Sequence, residues 1–283
     1  VEEIKMVSLM ANNADFFYRV LADYLTLRTG IKASVIDGIG WRERELLLNR
    51  GQAQMGFICG LQYVQKVDIQ NPALELLAAP VMKSARYMGK PIYFSDVVVH
   101  RDSRFRSMAD LRGSSWACNE PTSHSGCNLI RYYLAVHGEG GTFFQEVVES
   151  GSHQDSLALL LDGKIDATAI DSTVLELELR LRPELSQFIR IIETLGPSPI
   201  PPAVISSTVQ TEVKLAIKQA LFMMHTEPEG VDILNSLSFA RFERVGDKDY
   251  DLIRSMDEKA RQTRFALLSP STRAVYRGSE SAL

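Results

Sequence analysis

Short apolar runs alternate with longer segments of helical spacing along the chain, and glycines sit at many of the joints. Residues 4–10 predict a strand. Asn12-Asn13 then predicts a turn that caps an amphipathic helix over 15–28, with Gly30 as its stop. A second strand is predicted over 31–36, a helix over 41–50 ending at Gly51, and a third strand over 54–58 that runs into Cys59-Gly60. The same grammar returns downstream. Residues 115–118 predict a short strand, 119–126 a polar loop, and 127–136 a helix closed by Gly138. A strand over 143–149 follows, and Ser152 with Asp155 fits a capping box for a helix running to Leu161 and stopped by Gly163. Residues 166–170 predict a strand ending on Asp171-Ser172, and 213–224 and 250–265 both carry helical spacing.

Two stretches echo each other. Residues 46–51 followed by 55–58, and 159–163 followed by 167–170, each read as helix, glycine, then buried strand. This suggests an α/β protein of two lobes with like topology, each a mostly parallel sheet flanked by helices. Two extended stretches suit crossings between lobes: 93–100 after Pro91, and 197–206, which holds four prolines. If both cross, one lobe comprises 1–95 plus 206–283 and the other 96–205. Ligands of such sheets sit beyond the carboxyl ends of strands. That directs attention to residues 11–13, 36–41, 59–60, 119–126, 150–153 and 171–172.

A length of 283 residues suits two such lobes, since domains commonly run to ~100–150 residues. With 45% hydrophobic and 23% charged residues, the composition is that of an ordinary soluble globular protein. A net charge of -4 lacks the basic footprint of a nucleic-acid binder, so no nucleic-acid partner is expected, and any anion site must be built locally. No apolar run reaches the ~20 residues that span a bilayer. The chain opens directly on folding sequence, Val1-Glu2-Glu3-Ile4-Lys5, with no visible signal peptide. A periplasmic protein, an extracellular lipid-anchored one whose leader has been removed, and a cytosolic one all remain open. Cys59, Cys118 and Cys127 are odd in number and carry no Cys-x-x-Cys spacing, and buried, inert thiols are the simplest reading.

The sharpest chemical signal is Glu120-Pro121-Thr122-Ser123-His124-Ser125-Gly126, placed between a strand and a helix. Thr122, Ser123, His124 and Ser125 offer hydroxyl or imidazole donors beside the free N–H groups of a helix start, which suits a tetrahedral anion. A serine-rich turn that only caps the helix fits equally well. The loop lacks the Gly-x-x-x-x-Gly-Lys pattern of a Walker motif. His153, in Gly151-Ser152-His153-Gln154-Asp155, is a second anion donor in the first turn of a helix, or else a surface histidine beside a cap. Asp171 can orient a donor, hold a ligand hydroxyl or amine, or cap the following helix. Trp41 and Tyr93 are aromatics at expected cleft positions that core packing would also explain. No catalytic set stands out, no helix pairs metal ligands at i, i+4, and neither metal nor cofactor is expected.

In their order, these elements resemble the periplasmic phosphonate-, phosphite- and phosphate-binding proteins of ABC importers. Asp110-Leu111-Arg112-Gly113 and the Pro121–Gly126 loop follow that family's Asp-Leu-Lys/Arg-Gly element and Pro-x-Ser-Thr-Ser-Gly loop. Gly151-Ser152-His153, Ile165-Asp166-Ala167 with Asp171-Ser172, and Ser198-Pro199-Ile200-Pro201 match its later landmarks. Asn49-Arg50-Gly51-Gln52-Ala53 with Met55-Gly56-Phe57 matches an earlier one. The resemblance implies a type II periplasmic-binding fold with a two-stranded hinge, closing on its ligand. It further implies that Ser123 and Ser125 hold the oxyanion with the helix amides, that His153 reaches the same group, and that Tyr93 and Trp41 contact the ligand. The implied protein is a monomer that hands a small oxyanion to the membrane subunits of an importer.

Three departures mark this chain. His124 replaces the family's middle threonine, Cys59-Gly60 replaces Gly-Pro, and Pro202-Ala203 offers no carboxylate where aminoalkyl ligands are held. Two other readings stand beside the importer protein. One is an enzyme on the same fold acting on a small acid or cofactor precursor, with His124, His153, Cys118 and Cys127 as the suspicious set. The other is the ligand-sensing module of a signalling protein.

Overall fold

The computed structural model describes residues 3–69 and 73–268. The strands and helices run β1 (Glu3–Ser8), α1 (Asp15–Thr29), β2 (Lys32–Val35), α2 (Trp41–Asn49), β3 (Met55–Phe57), α3 (Gly60–Val67), β4 (Leu74–Met82) and β5 (Ile92–His100). Then come β6 (Ser115–Cys118), α4 (Leu129–Val136), β7 (Glu146–Glu149), α5 (His153–Leu161), β8 (Ala167–Asp171), α6 (Ser172–Leu181), β9 (Ile189–Pro199) and β10 (Ala203–Ser206). The chain closes with α7 (Thr211–Met223), α8 (Pro228–Ser236), β11 (Phe239–Glu243), α9 (Asp251–Ala260) and β12 (Leu267–Leu268).

The residues cluster in space as two compact units. Unit 1 comprises Val1–Tyr93 and Ser198–Ile253; unit 2 comprises Phe94–Pro197 with Arg254 and the described residues after it. The tail expected to belong wholly to the first lobe is therefore divided. Tyr250 and Ile253 join the apolar cluster of unit 1, whereas Met256 joins that of unit 2.

The sheet of unit 1 has the order β11-β4-β10-β3-β1-β2. Here β2, β1 and β3 are parallel, with Ile4 opposite Ala33 and Val7 opposite Gly56. β10 pairs antiparallel with both β3 and β4, and β11 antiparallel with β4. A mostly parallel sheet thus describes only the first half of this unit, because the chain re-enters through β10 from the opposite direction. Gly30 ends α1 in the left-handed conformation, φ 69°, and its N–H reaches the Thr26 carbonyl, as its position in the sequence requires.

The sheet of unit 2 runs β12-β7-β6-β8-β5-β9. β12, β7, β6 and β8 are all parallel, and β5 runs antiparallel beside β8 with Ser95 opposite Asp171. All five residues of β8 are buried, which suits its run of small and apolar residues Ala-Thr-Ala-Ile, in which the Thr168 hydroxyl donates to Ala117 O at 3.0 Å. Trp116 is fully buried on β6 and stacks on Phe144 at 4.7 Å between ring centroids. Phe143 and Phe144 serve this core from outside the ladder, so β7 is shorter than the predicted 143–149 strand.

The helix predicted over 250–265 stops at Ala260. Tertiary bonds take over the backbone there: Arg131 Nε donates to the Thr263 carbonyl at 2.7 Å, and the buried Thr263 hydroxyl donates to Glu139 O at 3.3 Å. A Cβ on Gly141 would come within 1.9 Å of the Arg264 carbonyl oxygen, a backbone atom that no rotamer change can move. Gly141→Ala is expected to dislodge this tail, at an overpacking cost of about 1–3 kcal/mol. Limited trypsin digestion should then cut faster at Arg261 and Arg264, with a lower melting temperature. An unchanged digestion pattern would show that the tail does not depend on this contact.

Candidate functional site in unit 2

Three neighbouring parallel strands, β7, β6 and β8, end at the same edge of the unit 2 sheet, and each hands the chain to a helix start. The first N–H groups of a helix have no partner within it and carry the positive end of its dipole. Three such starts therefore gather along one edge.

After β6 the chain forms a loop and then a single π-helical turn, His124–Asn128, before α4. The helix expected over 127–136 thus begins earlier. Ser123 caps it: its side chain accepts from Gly126 N at 3.1 Å, and its carbonyl accepts from Asn128 N at 3.0 Å. Such π turns recur at functional sites. After β7, Gly151 takes φ 96°, and Ser152 caps α5 by accepting from Asp155 N at 2.9 Å while donating to Asp155 Oδ2 at 2.7 Å. His153 is the first residue of α5. After β8, Asp171 caps α6 by accepting from Thr173 N at 2.8 Å and from the Thr173 hydroxyl at 2.7 Å.

The starts are joined to one another. Ser125 Oγ lies 3.2 Å from His153 Nε2. The Ser95 hydroxyl, on β5, donates to the Ser125 carbonyl at 2.8 Å, and Phe94 N donates to Ser172 Oγ at 3.0 Å. Gly126 is the tight point, because a Cβ there would meet Asn119 Oδ1 at 1.9 Å and His153 Cε1 at 3.2 Å. Ser123, Ser125 and His153 are all buried, and His153 Nδ1 finds no hydrogen-bond partner.

The chemistry of this edge follows from burial. Desolvation pushes the His153 imidazole down to about 4 and His124 to about 3, so both rings are neutral near pH 7. Burial raises Asp171 to about 6, against the lowering pull of its bonds from Thr173. A neutral His153 that donates from Nε2 engages the Ser125 oxygen and frees the Ser125 hydrogen for another acceptor. The Gly126 N–H does the same for Ser123. Two hydroxyls with occupied oxygens and free hydrogens, next to a helix start, form a donor set for an anion.

Of the residues singled out in the sequence, Ser123, Ser125 and His153 are brought together here, with Asp171 at the neighbouring helix start. Asp171 acts as a cap. Thr122 precedes Ser123 in the loop and is half-buried, while His124 is fully buried with Nδ1 3.2 Å from Asn128 Nδ2. Trp41 and Tyr93 belong to unit 1: Trp41 opens α2 beneath the Arg42 guanidinium, and Tyr93 is buried on β5. Ser95 and Asn119 were not singled out. Asn119 lies inside the loop flagged by its polarity, but Ser95 reaches Ser125 only through the antiparallel β5–β8 register, which no local pattern announces. Among the described residues, no cluster of three or more His, Cys, Asp or Glu is placed to hold a metal.

A family model for periplasmic substrate-binding proteins of ABC phosphonate transporters matches residues 12–250. No curated protein matches the chain. Among solved structures, a binding-protein component of an ABC phosphonate transporter from Pseudomonas aeruginosa is similar at a TM-score of 0.81 and 17% identity, over 92% of this chain and 86% of that one. PhnD1 from Prochlorococcus marinus, in complex with methylphosphonate, is similar at 0.81 and 18%, over 92% and 99%. The aliphatic sulphonate-binding protein SsuA from Escherichia coli is similar at 0.59 and 15%, over 95% and 94%. These likenesses show the fold, the α/β two-sheet architecture of type II periplasmic-binding proteins.

The buried titrating groups make a prediction about acid stability. An unfolded histidine binds its proton near ~6.5, so His124 and His153 cost stability as pH falls from there towards their folded values of about 3 and about 4. Asp171 acts in the opposite sense: raised to about 6 in the fold, it favours the folded state at low pH and costs stability as pH rises towards 6. Asp171→Asn keeps a helix cap and removes that opposition. The slope of unfolding free energy against pH between 4 and 6 should steepen by up to one proton, ~1.4 kcal/mol per pH unit. Urea unfolding at three pH values measures it, and equal slopes in both proteins would show that Asp171 does not titrate in this window.

Proposed function

The chain belongs to the periplasmic substrate-binding family of ABC phosphonate transporters, and on that premise we propose that it captures a small phosphorus oxyanion at the Ser123–Ser125–His153 edge of unit 2 for delivery to the membrane subunits of an importer. This is a family of substrate-binding proteins, not of enzymes, so the neutral histidines and the buried cysteines need no catalytic role. Among the described residues no helix is long and apolar enough to cross a membrane.

One observation carries the reading. Gly126 N–H engages the Ser123 oxygen, and Ser125 Oγ lies 3.2 Å from His153 Nε2, whose Nε2–H tautomer engages the Ser125 oxygen in the same way, beside a helix start. Hydroxyls held in this way present hydrogens to a ligand, and an anion gains charge-assisted bonds from them. Methylphosphonate in the similar Prochlorococcus protein supports an oxyanion carrying a small alkyl group. Pro202-Ala203, without a carboxylate, supports an uncharged alkyl end over an aminoalkyl one.

The test is a thermal-shift and calorimetric series with methylphosphonate, phosphite, phosphate, 2-aminoethylphosphonate, sulfate and methanesulfonate. At ~100 times its dissociation constant a ligand should stabilise the fold by ~2.7 kcal/mol. At least one phosphorus oxyanion should bind, and methylphosphonate more tightly than its aminoalkyl counterpart. If none binds, or only the sulfur oxyanions do, the proposal fails. For the site, Ser125→Ala and His153→Ala should each weaken the best ligand by ~10- to 150-fold, the loss of a hydrogen bond to charge at ~1.5–3 kcal/mol. Gly126→Ala should abolish binding, since its methyl displaces both Asn119 and His153. Full affinity in all three variants would place the ligand elsewhere.

A further inference from the structure

Two cysteines bracket the loop that carries the candidate site. Cys118 is the last residue of β6, and Cys127 lies in the π turn that leads into α4. Residues 119–126 lie between them and include Ser123 and Ser125. Both thiols are buried in one apolar cluster of unit 2 with Trp116, Leu129 and Ile130. Strand β6 packs against the π turn, and the two thiols are near enough for each to shift the other's ionisation. Both are thiols in this structure, not joined in a disulfide.

Two thiols that share one core cluster at the two ends of a short loop are placed for cross-linking if the compartment oxidises them. The bacterial periplasm does so, in contrast with the cytosol, and the family is periplasmic. We propose that Cys118 and Cys127 form a disulfide that ties off the 119–126 loop at its base, with Cys59 outside the cross-link. Each thiol gives up its hydrogen as one S–S bond forms, and a small disulfide such as oxidised glutathione takes up the two electrons and two protons and leaves as two thiols. Burial keeps the Cys118 thiol protonated in the folded chain, so the exchange runs while the chain folds or while the loop is locally open. The bond removes freedom from the unfolded loop and pins both ends of the segment that holds Ser123 and Ser125.

The sequence makes the test direct, because no Lys or Arg lies between Arg112 and Arg131 and both cysteines fall on one tryptic peptide. The reduced, denatured full chain is refolded in a mixture of oxidised and reduced glutathione, and in parallel with excess reductant. Each sample is then denatured, alkylated and digested. After oxidative refolding, the 113–131 peptide should carry no alkyl group and be lighter by two hydrogens, while Cys59 is alkylated. After refolding in reductant, all three cysteines should be alkylated. The oxidised protein should melt several degrees higher, and Cys127→Ala should erase that difference. Alkylation of both Cys118 and Cys127 after oxidative refolding overturns the proposal. Pairing of either with Cys59, or a cross-linked chain that melts no higher than the reduced one, overturns it too. The labelling needs neither a variant nor a ligand, so its outcome is independent of whether methylphosphonate binds.

Discussion

A parallel strand that ends in a helix leaves backbone N–H groups at the helix start with no partner of their own, and the organisation of unit 2 follows from that constraint. Because β7, β6 and β8 lie side by side and run the same way, three helix starts share one edge. Each needs a side-chain acceptor, and the chain supplies Ser152, Ser123 and Asp171 in turn. A cap that accepts through a hydroxyl keeps its own hydrogen available. Ser152 turns its hydrogen to Asp155 Oδ2, so of the two capping serines Ser123 is the one suited to receive an anion.

Neutrality is the second consequence. An imidazole buried at this edge takes up a proton only near pH 4, well below the ordinary histidine value, so near neutral pH His153 works as a dipole rather than a cation. Its ring is placed by contact more than by charge: Nε2 meets Ser125 Oγ, and Cε1 packs over Gly126. Asn119 Oδ1, Asn128 Oδ1 and His153 Nδ1 are buried without partners around the same loop. Unpaired buried polar atoms cost free energy, and their concentration in and beside one loop is the mark of a segment shaped by more than stability. His124 belongs to this loop yet is directed into the interior, where Asn128 meets its Nδ1. Its bulk is absorbed by the fold of unit 2.

Much of this was legible in the sequence, and the parts that were not share a cause. Where a signal is local, it sufficed: Gly30 stops α1, Ser152 and Asp155 cap α5, and the polar loop before α4 supplies the Ser123 cap. The likeness to importer proteins implies anion-holding roles for Ser123, Ser125 and His153, which spacing alone leaves open between capping and binding; the structure brings the three residues together. What escaped depended on distant partners. The end of α9 is set by Arg131 and Glu139 reaching Thr263, and Ser95 meets Ser125 only through the β5–β8 register. The antiparallel strands β4, β10 and β11 of unit 1 read locally like any other buried run. Direction within a sheet is a property of the partner, and no window of sequence contains it.

Unit 1 shows what the same edge becomes with different closing groups. There β1, β2 and β3 are parallel neighbours, and α1, α2 and α3 start beyond their carboxyl ends. The buried Arg44 of α2 gathers that edge: it donates to Ser8 O at 3.1 Å and to Ile39 O at 2.9 Å, and meets both oxygens of Asp15, in the first turn of α1, at 3.3 Å. Asp15 is the anion at that helix start, supplied by the chain itself, and the guanidinium balances it. In unit 2 the start leading into α4 carries neutral serine and histidine and no carboxylate in its first turn, while Asp155 and Asp171 stand at the starts of α5 and α6. Parallel strands feeding helix starts thus give one edge gathered by an internal ion pair and another at which the start leading into α4 is capped by a neutral serine.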